Sequence, residues 1–417
     1  MNAKKFKDVE QVAKWRLCAG CGICFYACTE NAISLVDVLN EGIRPKIDRT
    51  KCRECSTCVS VCPGIEITHP DISEKSIPEL TESWGQVLEL WEGYAADSEI
   101  RYRGSSGGVT SALALFCLEN EGFSGVLHIG ADQSKPLQNI PVFSKSKKDL
   151  LEYTGSRYSP ASPCERLDWI EKAEDKCVFI GKGCDVAALN KLDSISSKVG
   201  ISEKIGLVIG IFCAGTPATS GTYKIVEKLN ISPEQVENIR YRGCGWPGMT
   251  SVRIKGSNDQ IHQMTYNESW GEVLVSHVPL RCRLCPDGTG ELADISCGDP
   301  WYKKIEPNES GKSLILVRTT KGRDYLQKAI QLGYIIADRV ESSVLPQSQI
   351  SLLNKKRSLW GRIITMRLMR IPTPSFVGFG LFRNWRCLSI FNKIRSILGT
   401  LKRIISRKLY KPINFFI

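Results

Sequence analysis

Cys18-Ala19-Gly20-Cys21-Gly22-Ile23-Cys24-Phe25-Tyr26-Ala27-Cys28 is matched in spacing by Cys52-Arg53-Glu54-Cys55-Ser56-Thr57-Cys58-Val59-Ser60-Val61-Cys62, with Pro63 behind it. Both stretches read C-x2-C-x2-C-x3-C. Such a turn lets three thiolates reach three corners of an iron–sulfur cubane while backbone N–H groups face the sulfurs, and the fourth ligand comes from the other run. The spacing therefore assigns Cys18, Cys21, Cys24 and Cys62 to one [4Fe–4S] cluster, and Cys52, Cys55, Cys58 and Cys28 to a second. Structural zinc commonly takes pairs of C-x2-C, so a three-cysteine run repeated twice suits it poorly.

From Trp15 to His69 this pattern resembles bacterial two-cluster ferredoxins, although Thr29 stands where proline usually follows the first run. The resemblance implies an α+β, ferredoxin-like N-terminal domain over residues 1–70 that conducts electrons. It performs no chemistry on a carbon substrate, so the rest of the chain must hold a redox centre or a substrate.

The chain has 417 residues and 18 cysteines, with 42% apolar and 24% charged residues, enough to build two or three globular domains. A small disulfide-stapled secreted module is excluded. Dense cysteines in a reducing compartment serve as metal or redox ligands, and the charged start lacks the apolar core of a signal peptide, so a cytoplasmic location is expected. No uncharged apolar run reaches the roughly eighteen residues needed to span a bilayer. The formal charge of +12 is unevenly placed: fifteen of the 56 basic residues follow Ser342 and none of the 44 acidic ones does. The first 341 residues are thus slightly acidic, and a basic helical tail, residues 342–417, carries the excess.

Residues 71–83, polar and acidic with Pro70 just before them and Pro78 within, read as a linker. From residue 84 to 341 short apolar runs alternate with helical stretches. Strands are expected at 87–94, 125–129, 177–180, 205–212 and 314–319, and helices at 107–118, 164–173, 185–192, 218–229 and 323–332. This alternation indicates an α/β body with a largely parallel or mixed sheet, whose ligand lies beyond the carboxyl ends of strands.

Glycine-rich turns fall at such places. Ser105, Ser106, Gly107 and Gly108 precede an apolar helix, where a helix N-terminus favours an anion such as a cofactor phosphate; the same composition also suits a plain tight turn. Arg157, Lys182 and Arg242 lie in similar loops and are candidates for phosphate or substrate-anion contacts. Cys184 and Cys213 each follow a strand, and Cys282 and Cys285 form a lone C-x2-C, ambiguous between metal and redox thiols. Together the four are candidate ligands of a third [4Fe–4S] cluster. Cys244 and Cys297 are alternates. The four histidines form no metal-spaced pair, and no catalytic residue is assigned.

The ordered motifs S-S-G-G-V (105–109), G-S-R-Y (155–158), G-K-G-C-D-V-A-A-L (181–189), F-C-A-G-T-P (212–217), Y-R-G-C-G-W-P-G (241–248), and C-x2-C-x-D followed by E-L-A-D-I-S-C-G-D resemble the coenzyme F420 (deazaflavin) hydrogenase/dehydrogenase beta-subunit family. Gly183 departs from a position where proline is common. The resemblance implies an iron–sulfur flavoprotein oxidoreductase that binds FAD and a body cluster. It would pass electrons between a soluble ferredoxin or similar donor, the clusters, the flavin and a small two-electron acceptor. The alternative is a non-catalytic electron-transfer subunit that docks on a partner oxidoreductase.

In the tail, Ile390, Ile394, Ile397, Leu398, Leu401, Ile404 and Ile405 recur at helical spacing among Lys393, Lys402, Arg403, Arg407 and Lys408. A basic amphipathic helix of this kind suits an anionic membrane surface at its inner face, or docking on protein. No nucleic-acid partner is expected, because the body is acidic and no binding module is recognised.

Overall fold

The computed structural model describes residues 6–195, 201–256, 261–303 and 309–415. In the N-terminal unit Asp8 caps the helix Val9–Lys14 by accepting from the Gln11 N–H at 2.9 Å. Strands β1 (Ile33–Val38) and β2 (Gly42–Ile47) form an antiparallel hairpin, and β3 (Glu66–Thr68) closes the unit. The two cysteine runs turn through left-handed residues at matching places, Gly20 and Gly22 in the first, Glu54 and Ser56 in the second. Glycine adopts that conformation freely and other residues seldom do, so the second run keeps the loop shape against its own preference. One helical turn follows each loop, Ile23–Tyr26 and Thr57–Ser60.

The body begins with β4 (Glu89–Ala95), β5 (Gly125–Ala131), β6 (Asn139–Ser144), β7 (Cys177–Lys182) and β8 (Ile205–Ile211). Three short strands, β9 (Val236–Arg240), β10 (Thr250–Ile254) and β11 (Ile261–Met264), form a separate antiparallel sheet. Then β12 (Ile295–Gly298), β13 (Ser313–Val317) and β14 (Ile335–Arg339) return to the large sheet, ordered β14-β4-β13-β12-β8-β7-β5-β6. Its centre, β5-β7-β8-β12, is parallel. The flanks are antiparallel, so the sheet is mixed rather than largely parallel. The apolar runs alone did not carry strand direction: β6 returns from β5 as a neighbour, and β13 and β14 enter from the opposite end.

Alternating strand residues feed two cores. Val126, Val178, Leu207, Ile295 and Ile315 face the helices Val109–Asn120 and Thr320–Gln331. Leu127, Phe179 and Ile205 face Leu167, Ile170 and the helix Gly183–Ile195. Each fully buried side chain of this kind contributes about 1.5–3 kcal/mol.

The segment read as a linker differs from that expectation. It ends in a helix, Pro78–Trp84, that buries Leu80 and Trp84 beside Leu90, Leu314 and Leu316. Pro78 occupies the first turn, where its missing N–H leaves no helix bond unmade. The tail packs on the protein as well. Leu352 and Leu353 join that same core, while Leu359, Ile363, Met366 and Ile404 pack on Val9, Val12 and Leu17 of the N-terminal unit. Strand β15 (Ser375–Val377) pairs in parallel with β3, and Arg16 donates to the Lys411 carbonyl at 3.0 Å.

Candidate iron–sulfur and cofactor sites

Cys18, Cys21, Cys24 and Cys62 line one cavity with Val9, Val12, Gly20, Gly22 and Pro63. The last ligand candidate of the second run thus stands with the first three of the first run. Burial among apolar groups and neighbouring thiols raises the Cys21 and Cys24 pKa values, and burial beside Cys18 pushes the Cys62 thiol up to about 12. Four cysteine sulfurs lining one cavity suit a cationic iron core, which would stabilise them as thiolates. In the second set Cys28, Cys52 and Cys58 are half-buried against the same core, and Cys55 is exposed. The Ala32 N–H reaches the Cys28 sulfur at 3.4 Å, and the Thr57 hydroxyl, 3.4 Å from the Cys55 sulfur, lowers that thiol's pKa.

The body brings together a third set from three loops. Cys184 lies in the first turn of the helix after β7, Cys213 follows β8, and Cys282 and Cys285 flank the end of the short helix Leu280–Arg283. These thiols are electrostatic neighbours: Cys213 and Cys285 act on Cys184, and Cys282 acts on both Cys213 and Cys285. Burial pushes the Cys213 thiol up to about 11. The donor set is again four sulfurs, with Lys182, Arg281 and Lys355 as surrounding cations. Gly183 has no room for a side chain, since a Cβ would collide with the Asp287 carboxylate. Of the alternates, Cys244 is exposed, and Cys297 is buried in the sheet core at the wall of the cavity described below.

Between the first and third sets stand two buried residues. The Cys164 N–H donates to the Cys21 carbonyl at 3.0 Å, and its thiol neighbours both Cys21 and Cys184. Arg281 donates to the Pro63 carbonyl at 3.1 Å and acts on both Cys62 and Cys285. The docking is tight, for a Cβ on Gly22 would stand 2.9 Å from the Glu165 nitrogen.

A cavity of 440 Å³ opens beyond the carboxyl ends of β7, β8 and β12. Ser105, Ser106, Gly108, Arg157, Lys182 and Arg242 line it, with Cys213, Phe212, Tyr158, Trp270 and Trp301. Gly107 does not. A Cβ there would meet the Gly93 carbonyl at 2.6 Å and the Ser313 nitrogen at 2.7 Å, so this glycine serves close backbone packing.

The cationic candidates differ in what they leave free. Arg242 spends its donors within the protein: a bidentate pair with Asp299 at 2.7 and 2.8 Å, and bonds to Pro247 O, Ser105 O and the Tyr158 hydroxyl. Burial opposes its charge, but Asp299 more than compensates and raises its pKa. It is a wall of the site, capped by Trp301 and Tyr266, whose rings stack at 5.3 Å. Arg157 ties β6 to β9 through Asn139 Oδ1 at 2.7 Å and Ile239 O at 2.6 Å. Lys182 bonds Asp185 Oδ2 at 2.7 Å and retains ammonium donors beside both the cavity and the third cysteine set.

Sequence reasoning missed Asp185, Asp299 and Trp301 as site residues, although Asp185 and Asp299 lie in motifs given above and Trp301 follows the last of them by two residues. It had no signal for residues 347–352 of the tail, which cover one side of the cavity; there the Gln349 amide donates to the Asp299 carbonyl at 2.6 Å.

Residues 17–64 match the model of the 4Fe-4S dicluster domain, which makes the molecule an iron–sulfur protein built around a mixed α/β body. Residues 90–167 match the N-terminal model, and 174–343 the C-terminal model, of the coenzyme F420 hydrogenase/dehydrogenase beta subunit. The chain belongs to that beta-subunit family. It is 25% identical over 333 residues to the coenzyme F420-dependent sulfite reductase of Methanocaldococcus jannaschii, covering 76% of this chain and 46% of that protein. Against the coenzyme F420 hydrogenase subunit beta of Methanococcus voltae it is 26% identical, covering 67% of this chain and 95% of the relative. A chain of the F420-reducing NiFe hydrogenase complex from Methanosarcina barkeri shares the fold, with a TM-score of 0.52 at 21% identity, covering 69% of this chain and 94% of that one.

Proposed function

We propose that the chain is an iron–sulfur flavoprotein oxidoreductase in which Cys184, Cys213, Cys282 and Cys285 hold a third [4Fe–4S] cluster and the 440 Å³ cavity holds the flavin of FAD. The observation that carries this reading is the shared wall: Cys213 belongs to the sulfur set and also lines the cavity. An aromatic and apolar lining with a few polar groups is the character of a cofactor site. Flavin supplies the junction between one-electron clusters and a two-electron acceptor.

The chain's own residues supply position and charge. Lys182 presents its ammonium to an anionic portion of the cofactor or acceptor, while buried Asp185 fixes its direction. Arg242 and Asp299 brace the Trp301 wall, and residues 347–352 shield that side of the cavity from water. The exposed Cys55 puts the outer N-terminal set within reach of a ferredoxin-type donor, and Cys164 and Arg281 lie between the inner set and the third.

Anaerobic purification with counts of iron, sulfide and flavin tests the reading. About twelve irons and one FAD are expected, at four irons per cluster. Eight irons with FAD would remove the third cluster, and a colourless preparation would sink the scheme. A second reading, an electron-transfer subunit acting on a separate catalytic protein, draws support from the relatives named as hydrogenase beta subunits. Purified protein that turns over a small acceptor by itself speaks against it.

A further inference from the structure

The terminal helix Ile390–Ser406 packs with its polar face inward. Ser396, Thr400 and Ile404 are buried, and Ser396 accepts from the Trp385 indole at 3.2 Å. Gly361 on the helix Leu359–Leu368 makes this approach possible, because a Cβ there would collide with the Ser396 hydroxyl. At 100° per residue the opposite face carries Phe391, Ile394, Leu398 and Ile405. All four are exposed, Phe391 by 81% and Leu398 by 57%.

An apolar stripe turned to water on a helix otherwise seated on the protein lacks a cover. Its borders name the chemistry of that cover. Arg395 and Lys402 are exposed beside the stripe, Lys408 follows the helix, and residues 342–417 contain no Asp or Glu. Two copies meeting here would oppose like charges, whereas an anionic bilayer offers negative headgroups above an apolar layer. No described helix is long and apolar enough to cross a membrane, so the contact would lie in the interface plane. We propose that the exposed face of Ile390–Ser406 seats the protein on an anionic lipid surface.

Co-sedimentation of the full, cofactor-loaded chain with phosphatidylcholine vesicles, with and without phosphatidylglycerol, tests this. Binding is expected on the anionic vesicles and should fall with salt. The double variant Arg395→Gln/Lys402→Gln should bind roughly thirtyfold more weakly, at about fivefold per charge. Phe391→Ser/Leu398→Ser should weaken binding by at least about tenfold. Both pairs are surface positions, and unchanged circular dichroism and cluster absorbance would show that the fold is retained. Absence of binding to either vesicle, or binding that these variants leave unchanged, overturns the proposal. Self-association in the absence of lipid that F391S/L398S abolishes would overturn it in favour of a second copy. Since none of these readouts uses turnover, they stand or fall separately from the flavoprotein reading.

Discussion

The N-terminal cysteines and the body cysteines achieve similar sulfur sets by opposite routes. In the first region eight cysteines lie within two eleven-residue runs whose loops share left-handed turns at Gly20 and Gly22, and at Glu54 and Ser56. In the second, four cysteines separated by up to about a hundred residues meet because β7 and β8 end at the same edge and the 280–285 turn folds over them. Local spacing builds the one, and sheet topology builds the other. A lesion in the first should therefore act on its own loop, while one in the second should report on the whole body.

The largest effect should come from Cys62→Ala, which removes the one sulfur the second run lends to the first set. About four irons should be lost, with donor-driven reduction falling by two orders of magnitude or more, measured by iron content and stopped-flow reduction. Retention of all iron would break the crossed arrangement. Cys213→Ser should remove a similar amount of iron but leave the N-terminal clusters reducible, read by electron paramagnetic resonance. A variant that also lost the N-terminal signals would show that the two regions do not assemble separately.

Asp185→Asn leaves the Lys182 ammonium buried without its carboxylate, and breaking such a pair costs about 3–5 kcal/mol, measured by urea unfolding under anaerobic conditions. The smallest effect concerns the seam between the regions. Glu165, beside Gly22, has a carboxyl raised by burial to about 7 from 4.5, partly offset by Arg166. The unfolded chain ionises this group first, so its contribution should weaken stability as pH rises from about 4.5 to about 7 and stay level above. Glu165→Gln should flatten that slope in pH-dependent thermal melts; an unaltered slope would remove the seam as a pH-sensitive element.

Legibility followed the same division. The cysteine runs were readable because iron–sulfur ligation imposes a fixed local spacing. The central strands were readable too, since β7, β8 and β13 are continuous apolar runs buried on both faces. The short, half-exposed strands β9, β10, β11 and β14 carried no comparable signal. Gly107 and Arg242 show a subtler gap. Residue type suggested a cofactor contact for both, but a backbone approach holds the first, and Asp299 with three oxygens of other residues occupies the second.

By itself the sequence determined the two cysteine runs of a dicluster domain, the α/β alternation of the body and the concentration of positive charge after Ser342, because these depend on spacing and composition along the chain. Only the tertiary structure decided that the sheet is mixed, that Cys213 stands at once in a sulfur set and in a cavity wall, and that the last helix turns Ser396 inward and Phe391 outward. Those depend on which surfaces meet, and a hydrophobic pattern says which face is apolar without saying what will cover it.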